Sequence, residues 1–303
     1  MKTLTSGIAY TDLHFQDVEH IIATAVLHGA DGIALIDPGP SSALPHLKAA
    51  LAEAGVSVRD IRALLLTHIH LDHAGASGSL VAENPAIRVY VHERGAPHMA
   101  NPERLVASAT QLWGDEMDQL WGEVRPVRQD ALVPLSGGEQ LEAGSRRMEV
   151  LYTPGHASHH VSYFNADAGI AFVGDTAGMR LEPAGPVVPP TPPPDIDLEA
   201  WRRSLQLIAD WEPDTLFLTH FGPHAPVAAH LGEMTDHLEM VASLARQSLS
   251  IEGGDEDRER WFSNELRALL RRKLPERSAA SYEVAGRFDL SWRGLARYWR
   301  KRA

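Results

Sequence analysis

The chain of 303 residues has 44% hydrophobic and 22% charged residues, which places it among soluble globular proteins rather than disordered or fibrous ones. Its formal net charge of −12 argues against a broad phosphate-tracking surface, so nucleic acid is not expected as a partner. With no cysteine, disulfides, thiolate metal ligands and a cysteine nucleophile are excluded, and any metal must be held by His and carboxylate.

The N-terminal segment MKTLTSGIAYTDLHFQDVEH has no apolar core of the kind an export signal needs. No stretch approaches the roughly 20 apolar residues that span a bilayer. A cytoplasmic protein with no membrane association is expected.

HIIATAVLHGADGIALIDPG reads as a β-hairpin that ends at Asp37. SSALPHLKAALAEAG follows as a helix with a Ser cap, closed by Gly55, and IRALLLT as a strand buried on both faces. A helix over GSLVAENP and a strand over IRVYVH extend the alternation, which indicates a sheet flanked by helices. Residues 102–122 carry Leu105, Leu112, Trp113, Met117, Leu120 and Trp121 on amphipathic helices, which either pack on the core or form a lid over a pocket.

From 132 to 174 the pattern becomes short strands with tight turns: QLEAG, RRMEVLYT, VSYFNADAG and IAFVGD. EPAGPVVPPTPPPDID cannot join a central strand, and we expect a stiff loop near the site rather than an interdomain linker. DLEAWRRSLQLIADWEP is a capped helix, and DTLFLTH repeats an apolar strand ending in Thr-His. Beyond about residue 225 three helices are expected, through VAAHLGEMTDHLEMVASLARQSL, ERWFSNELRALLRRKL and LSWRGLARYWRKR, with EGGDEDRE as an acidic break. Trp292 and Tyr298 are either core or the surface of a homodimer.

The chemistry concentrates in THIHLDHAG, residues 67–75. His68 and His70 are two apart, so an extended segment aims both to one side, while Asp72 and His73 follow where the chain can bend into a helix. Four ligand-capable groups in six residues exceed what one ion needs. A site here requires distant partners, and His156, Asp175 and His220 each stand at the end of a β-rich run.

This set resembles the metallo-β-lactamase superfamily, with His68, His70, Asp72 and His73 matching its HxHxDH motif and His156, Asp175, His220 and the early Asp37 matching its later and earlier motifs. The resemblance covers about residues 15–225 and is nearest to the glyoxalase II-like and lactonase-like branch. It implies an αββα sandwich for residues 1–225, with a helical C-terminal extension over 226–303. It also implies two divalent ions, zinc first and iron or manganese as alternatives. His68, His70 and His156 would hold one ion, Asp72, His73 and His220 the other, and Asp175 would bridge them.

The implied activity is hydrolysis of a small ester, thioester or lactone by a water that the two ions acidify and Asp72 orients. An iron-dependent oxidoreductase and a phosphodiesterase are the alternatives. The Tyr that acyl-homoserine lactonases carry after the bridging Asp is replaced here by TAGMRLE. Asp37 is either a turn residue or an orienter of a ligand loop. His159 and His160 are candidate ligand orienters or substrate contacts, and His224 is a candidate pocket-wall residue. Arg271, Arg272 and Lys273 could serve a thiol-peptide substrate only if the C-terminal helices fold over the site; otherwise they are a solvated charge run.

Overall fold

In the computed structural model, which describes residues 1–302, the strands divide between two sheets at residue 136. The first sheet takes β1 (Lys2–Thr5), β2 (Ile8–Asp12), β3 (Ala23–Gly29), β4 (Gly32–Ile36), β5 (Ile61–Leu65), β6 (Arg88–His92) and β7 (Leu132–Leu135), side by side in chain order. Pairing is antiparallel from β1 to β4 and parallel from β4 to β7. The second takes β8 (Gln140–Ala143), β9 (Arg146–Tyr152), β10 (Val161–Asn165), β11 (Ile170–Phe172), β12 (Thr215–Leu218) and β13 (Gly222–His224), where only β11 and β12 run parallel.

Helices α1 (Leu44–Glu53), α2 (Leu71–Ala74), α3 (Ser77–Glu83), α4 (Ala96–Ala100), α5 (Glu103–Trp113) and α6 (Met117–Trp121) belong to the first half. The second half has α7 (Leu198–Asp210), then α8 (Val227–Ser248), α9 (Asp255–Lys273), α10 (Glu276–Gly286) and α11 (Phe288–Arg300). Two mixed sheets flanked by helices form the expected αββα sandwich with a helical C-terminal region. Their inner faces share one core, in which Val26, Leu35, Leu64, Tyr163, Phe172 and Leu216 are fully enclosed. None of the described helices is long and apolar enough to cross a membrane.

Several elements differ from expectation for physical reasons. Strands β1 and β2 precede the expected hairpin as an antiparallel addition to its outer edge, and β1 is too exposed to show an apolar pattern. Strand β7 contains Pro134, which is tolerated because β7 is the other edge of the sheet. The Ser pair before α1 does not cap it. Ser41 Oγ donates to the Gly75 carbonyl and Ser42 Oγ to the Leu120 carbonyl, so both hydroxyls tie loops together instead.

The acidic stretch EGGDEDRE is not wholly a break: Asp255, Glu256 and Asp257 form the first turn of α9, where negative charge is stabilised by the positive end of the helix dipole. Arg271, Arg272 and Lys273 occupy its last turn for the complementary reason, and none of them lines the metal-centre cavity described below. The C-terminal region has four helices rather than three, α10 being the addition.

Trp292 and Tyr298 lie in the interior, only 2% and 3% exposed, so they offer no dimer surface. The Trp292 indole donates to Ser248 Oγ at 2.7 Å, and the Tyr298 hydroxyl donates to Glu199 at 2.7 Å. The helices are thereby bound to each other and to α7. Trp292→Ala is expected to lower the unfolding free energy by about 3–5 kcal/mol. Urea denaturation checks this, and a loss below about 1 kcal/mol would show that the C-terminal helices contribute little to the shared core.

Candidate metal centre

Every sequence-predicted ligand sits just beyond a strand end, at one edge of the sandwich between the sheets. Strand β5 ends at Leu65, the chain stays extended through His68 to His70, and His70 then precedes the single turn of α2 that carries Asp72 and His73. The β9–β10 connection carries His156, β11 leads to Asp175, and β12 leads to His220. The parallel pairs β4/β5 and β11/β12 thus point their carboxyl ends at the same place. Two backbone bonds join the halves there: Ala23 N–H to the Thr219 carbonyl and Val161 N–H to the Thr67 carbonyl, each at 2.8 Å.

Two glycines let the second-half ligands approach. A Cβ at Gly155, whose φ is +143°, would lie 2.4 Å from Trp201 Cα; one at Gly174, with φ +47°, would lie 2.6 Å from Thr67 Oγ1. Each stands immediately before a candidate ligand.

The ligand atoms converge in three overlapping groups: His68, His70 and His156; His68, His73 and Asp175; and Asp72, His73 and His220, each within 4.8 Å. His156 Nε2 faces His70 Nδ1 at 2.9 Å and Asp175 Oδ2 at 3.3 Å. His73 Nε2 lies 3.3 Å from Asp175 Oδ1 and 3.6 Å from Asp72 Oδ2. His220 Nε2 lies 3.3 Å from Asp72 and 3.5 Å from Asp175. Asp175 lies within 3.5 Å of ligand atoms from both outer groups.

The match to known families agrees with this geometry: the model of the metallo-beta-lactamase superfamily aligns with residues 19–220, spanning β3 through His220. The chain belongs to the metallo-beta-lactamase superfamily. It is 30% identical over 194 residues to the metallo-beta-lactamase fold-containing protein ST1585 of Sulfurisphaera tokodaii, covering 63% of this chain and 70% of that one. A hydroxyacylglutathione hydrolase of Legionella pneumophila is 27% identical over 141 residues, 46% of this chain and 41% of its own length. The match therefore spans less than half of that relative.

Among solved structures, the metallo-beta-lactamase family protein TTHA1429 of Thermus thermophilus superimposes with a TM-score of 0.73 at 23% identity, covering 99% of this chain and 95% of that one. The C-terminal helices of this superfamily member lie within that shared fold.

The residues present fit a pair of metal ions. His68 Nε2, His73 Nε2 and Asp175 Oδ1 are buried without a hydrogen-bond partner, at a cost that a cation bound there would remove. The opposite ring nitrogens are already engaged. His73 Nδ1 donates to Asp37 Oδ2 at 2.8 Å, His156 Nδ1 to the Pro190 carbonyl at 2.9 Å, and His220 Nδ1 to the Ile21 carbonyl at 2.7 Å. Thr67 Oγ1 gives its own proton to Asp37 and accepts from His68 Nδ1 at 3.1 Å. With Nδ1 engaged in this way, each of the four rings in its neutral form turns the lone pair of Nε2 toward the site, the arrangement that metal-bound histidines require.

Electrostatics divide the site. Burial, then the neighbouring imidazoles, holds His68 well below the usual histidine range and brings His70 down to about 4, so both are neutral donors. Burial also disfavours charge on His73, but Asp175, Asp72 and Asp37 outweigh it and raise this ring well above the usual range. Burial opposes ionisation of Asp72, yet His73 and His220 bring its carboxyl down to about 2, and Asp175 is likewise held ionised by His73 and His156. Three carboxylates therefore surround one imidazole in a buried pocket, a surplus of negative charge that cations satisfy.

Asp37 combines both roles expected of it as alternatives. It turns the chain with φ +51°, and its fully buried carboxylate accepts from Thr67 N, Thr67 Oγ1 and Thr219 Oγ1 at 2.8, 2.7 and 2.7 Å, besides His73. Thr67 and Thr219 were not among the predicted site residues, although the Thr-His ending shared by two strands was their visible signal. His160 is an orienter: its Nε2 accepts from the Asp175 N–H at 3.2 Å while Nδ1 bonds Thr153 Oγ1 at 2.9 Å. His224 turns away to the Phe221 carbonyl and is not in the cavity wall.

A cavity of about 720 Å³ opens over the centre, with His70, Asp72, His156, His159, Asp175 and His220 on its floor. Helix α5 contributes Leu105, Leu112 and Trp113 and has no fully buried residue, so residues 102–122 form a cover over the site. The proline-rich loop supplies Pro190 and Pro192–Pro194, in agreement with a loop beside the site. Residues 284–287 and Leu290 close the far side. The Arg287 guanidinium lies 4.4 Å from the Trp113 ring and 3.6 Å from Glu116, linking the cover to the C-terminal helices.

Proposed function

We propose that this metallo-hydrolase is binuclear and cleaves a small thioester, ester or lactone with an apolar acyl part. His68, His70 and His156 would hold one ion, Asp72, His73 and His220 the other, and Asp175 would lie between them. Imidazole and carboxylate donors without thiolate suit zinc. When bound, the ions would supply Lewis-acid activation of a water molecule and of the substrate carbonyl.

The chain's own residues do the rest. The ionised Asp72, half-exposed to the cavity, accepts a proton of the attacking water in a hydrogen bond and so fixes its direction. His159, half-buried in the cavity floor with Nδ1 enclosed and unpartnered and its pKa pushed down to about 3, first by burial and then by His70, is a neutral imidazole able to bond the substrate. Phe15, Ile69, Leu105, Leu112 and Trp113 enclose the acyl part and exclude water.

The observation that carries this proposal is the location of the ligand groups on the floor of a largely apolar cavity, which favours an acyl substrate over a phosphodiester. The hydroxyacylglutathione hydrolases among the relatives, whose name specifies an acylated thiol, favour the same class.

The test is metal titration of metal-free protein, followed by assay on uncharged acyl thioesters. Two zinc ions per chain and turnover are expected. Uptake should release protons, because the carboxylates hold His73 protonated until the second ion displaces that proton, and affinity should therefore rise with pH. Stoichiometric iron with visible absorption and no thioester turnover would overturn the proposal.

A further inference from the structure

Beside the metal-centre cavity lies a second hollow of about 470 Å³, and the two share Arg94, Ser158, Pro194 and Asp195. Their linings differ. Around the second hollow stand Arg94, Arg203, Arg297, Lys301 and Arg302, against the acids Asp195 and Asp197. Five basic side chains facing two acidic ones reverse the sign of a chain whose net charge is −12.

Both acids are held by neutral donors and keep their charge, which still leaves the bases in excess. Asp195 Oδ2 accepts from Ser158 Oγ at 2.6 Å, and Asp197 Oδ1 accepts from Ala200 N–H at 2.9 Å to cap α7. Of the bases, Arg302 pairs with Glu199 at 3.2 Å and Arg94 lies 5.8 Å from the Tyr152 ring. Arg203, Arg297 and Lys301 are exposed and form no ion pair among the described residues. Unneutralised positive charge from α7 and α11 therefore gathers around one concave site that adjoins the reaction centre.

We propose that this hollow binds the phosphate groups of a nucleotide-bearing thiol, so that the substrate is a thioester of the acyl-coenzyme A class. The acyl chain lies under α5 and α6, the thioester carbon at the His/Asp centre, and the phosphorylated end among Arg203, Arg297 and Lys301. This rests on the thioester reading of the metal centre. A single carboxylate needs one guanidinium, whereas several unpaired bases around one hollow match a group carrying multiple negative charges.

The reaction balances without a further reactant. The water oxygen bonds to the carbonyl carbon, the C–S bond breaks, the sulfur leaves as a thiol with one water proton, and the acid releases the other. Helix α11 then has two functions in one element, with Leu290 on the apolar side and Arg297 on the charged side.

The test compares metal-loaded wild type with the double variant R297E/K301E, whose residues lie outside the metal centre. Substrates are hexanoyl-coenzyme A and hexanoyl-N-acetylcysteamine, which has the same thioester and no phosphate. Wild type should favour the coenzyme A thioester through a lower KM, less so as salt rises. The variant should lose about tenfold on that substrate, as two reversed surface charges imply, and change less than about twofold on the uncharged one.

Calorimetry of coenzyme A binding gives a readout independent of turnover: binding to wild type and its loss in the variant are expected. Turnover of both thioesters with no preference and no effect of the variant would overturn the phosphate site while leaving the hydrolase reading intact. Hydrolysis of neither thioester by protein carrying two ions would overturn the thioester reading, and this inference with it.

Discussion

Replacing His68 and His70 together by alanine is expected to lower kcat/KM on the proposed thioester substrate by at least about 1000-fold, equivalent to about 4 kcal/mol of transition-state stabilisation. The expectation follows from the grouping of ligand atoms. Both imidazoles belong to the group completed by His156, and His68 also belongs to the group containing His73 and Asp175. Their loss leaves one position with a single imidazole and deprives the shared carboxylate of a neighbour.

Because His68 is fully buried and His70 lies at the head of α2, folding must be checked separately by circular dichroism and thermal melting. Metal analysis of the folded variant should find at most one ion per chain. Unchanged turnover in protein that retains two ions would defeat the assignment of these residues.

The candidate ligands stand out in the sequence because they are written in short strings at strand ends. THIHLDH places alternate residues on one side of an extended segment, and that is how His68 and His70 are presented. The Thr-His ending of β12 repeats that of β5, and both threonines donate to the same Asp37 oxygen. What sequence could not show was convergence itself. Asp37 looked equally like a turn residue because its four donors come from positions 67, 73 and 219, and only the fold brings them together.

The αββα layering was legible from the alternation of strands and helices. The edge strands were not, since β1 is exposed and β7 carries a proline. The cover over residues 102–122 stayed ambiguous because an apolar stripe reads the same against a core or a cavity. Arg94, Arg203, Arg297 and Lys301 are scattered over more than 200 residues, and no local pattern marks them as neighbours.

Asp37→Ala should destabilise the protein by about 3–5 kcal/mol, more than removal of any one metal ligand, because it strands four buried donors at once. Those donors hold together the ends of β4, β5 and β12, so the loss falls on the contact between the two halves as well as on the site. Asp37→Asn separates the two effects. It keeps an acceptor for the Thr67 N–H but sets an amide N–H₂ against the His73 Nδ1–H and the two threonine hydroxyls. Hydroxyls can rotate to accept; the imidazole can answer only by moving its proton to Nε2, the nitrogen that must face the metal.

The asparagine variant should therefore unfold at a denaturant concentration between those of wild type and Asp37→Ala, and bind metal about 10–100-fold more weakly than wild type. Chelator competition measures the second quantity in folded protein. Wild-type metal affinity in Asp37→Asn would show that this carboxylate serves the joint between the sheets alone and has no part in setting the His73 tautomer.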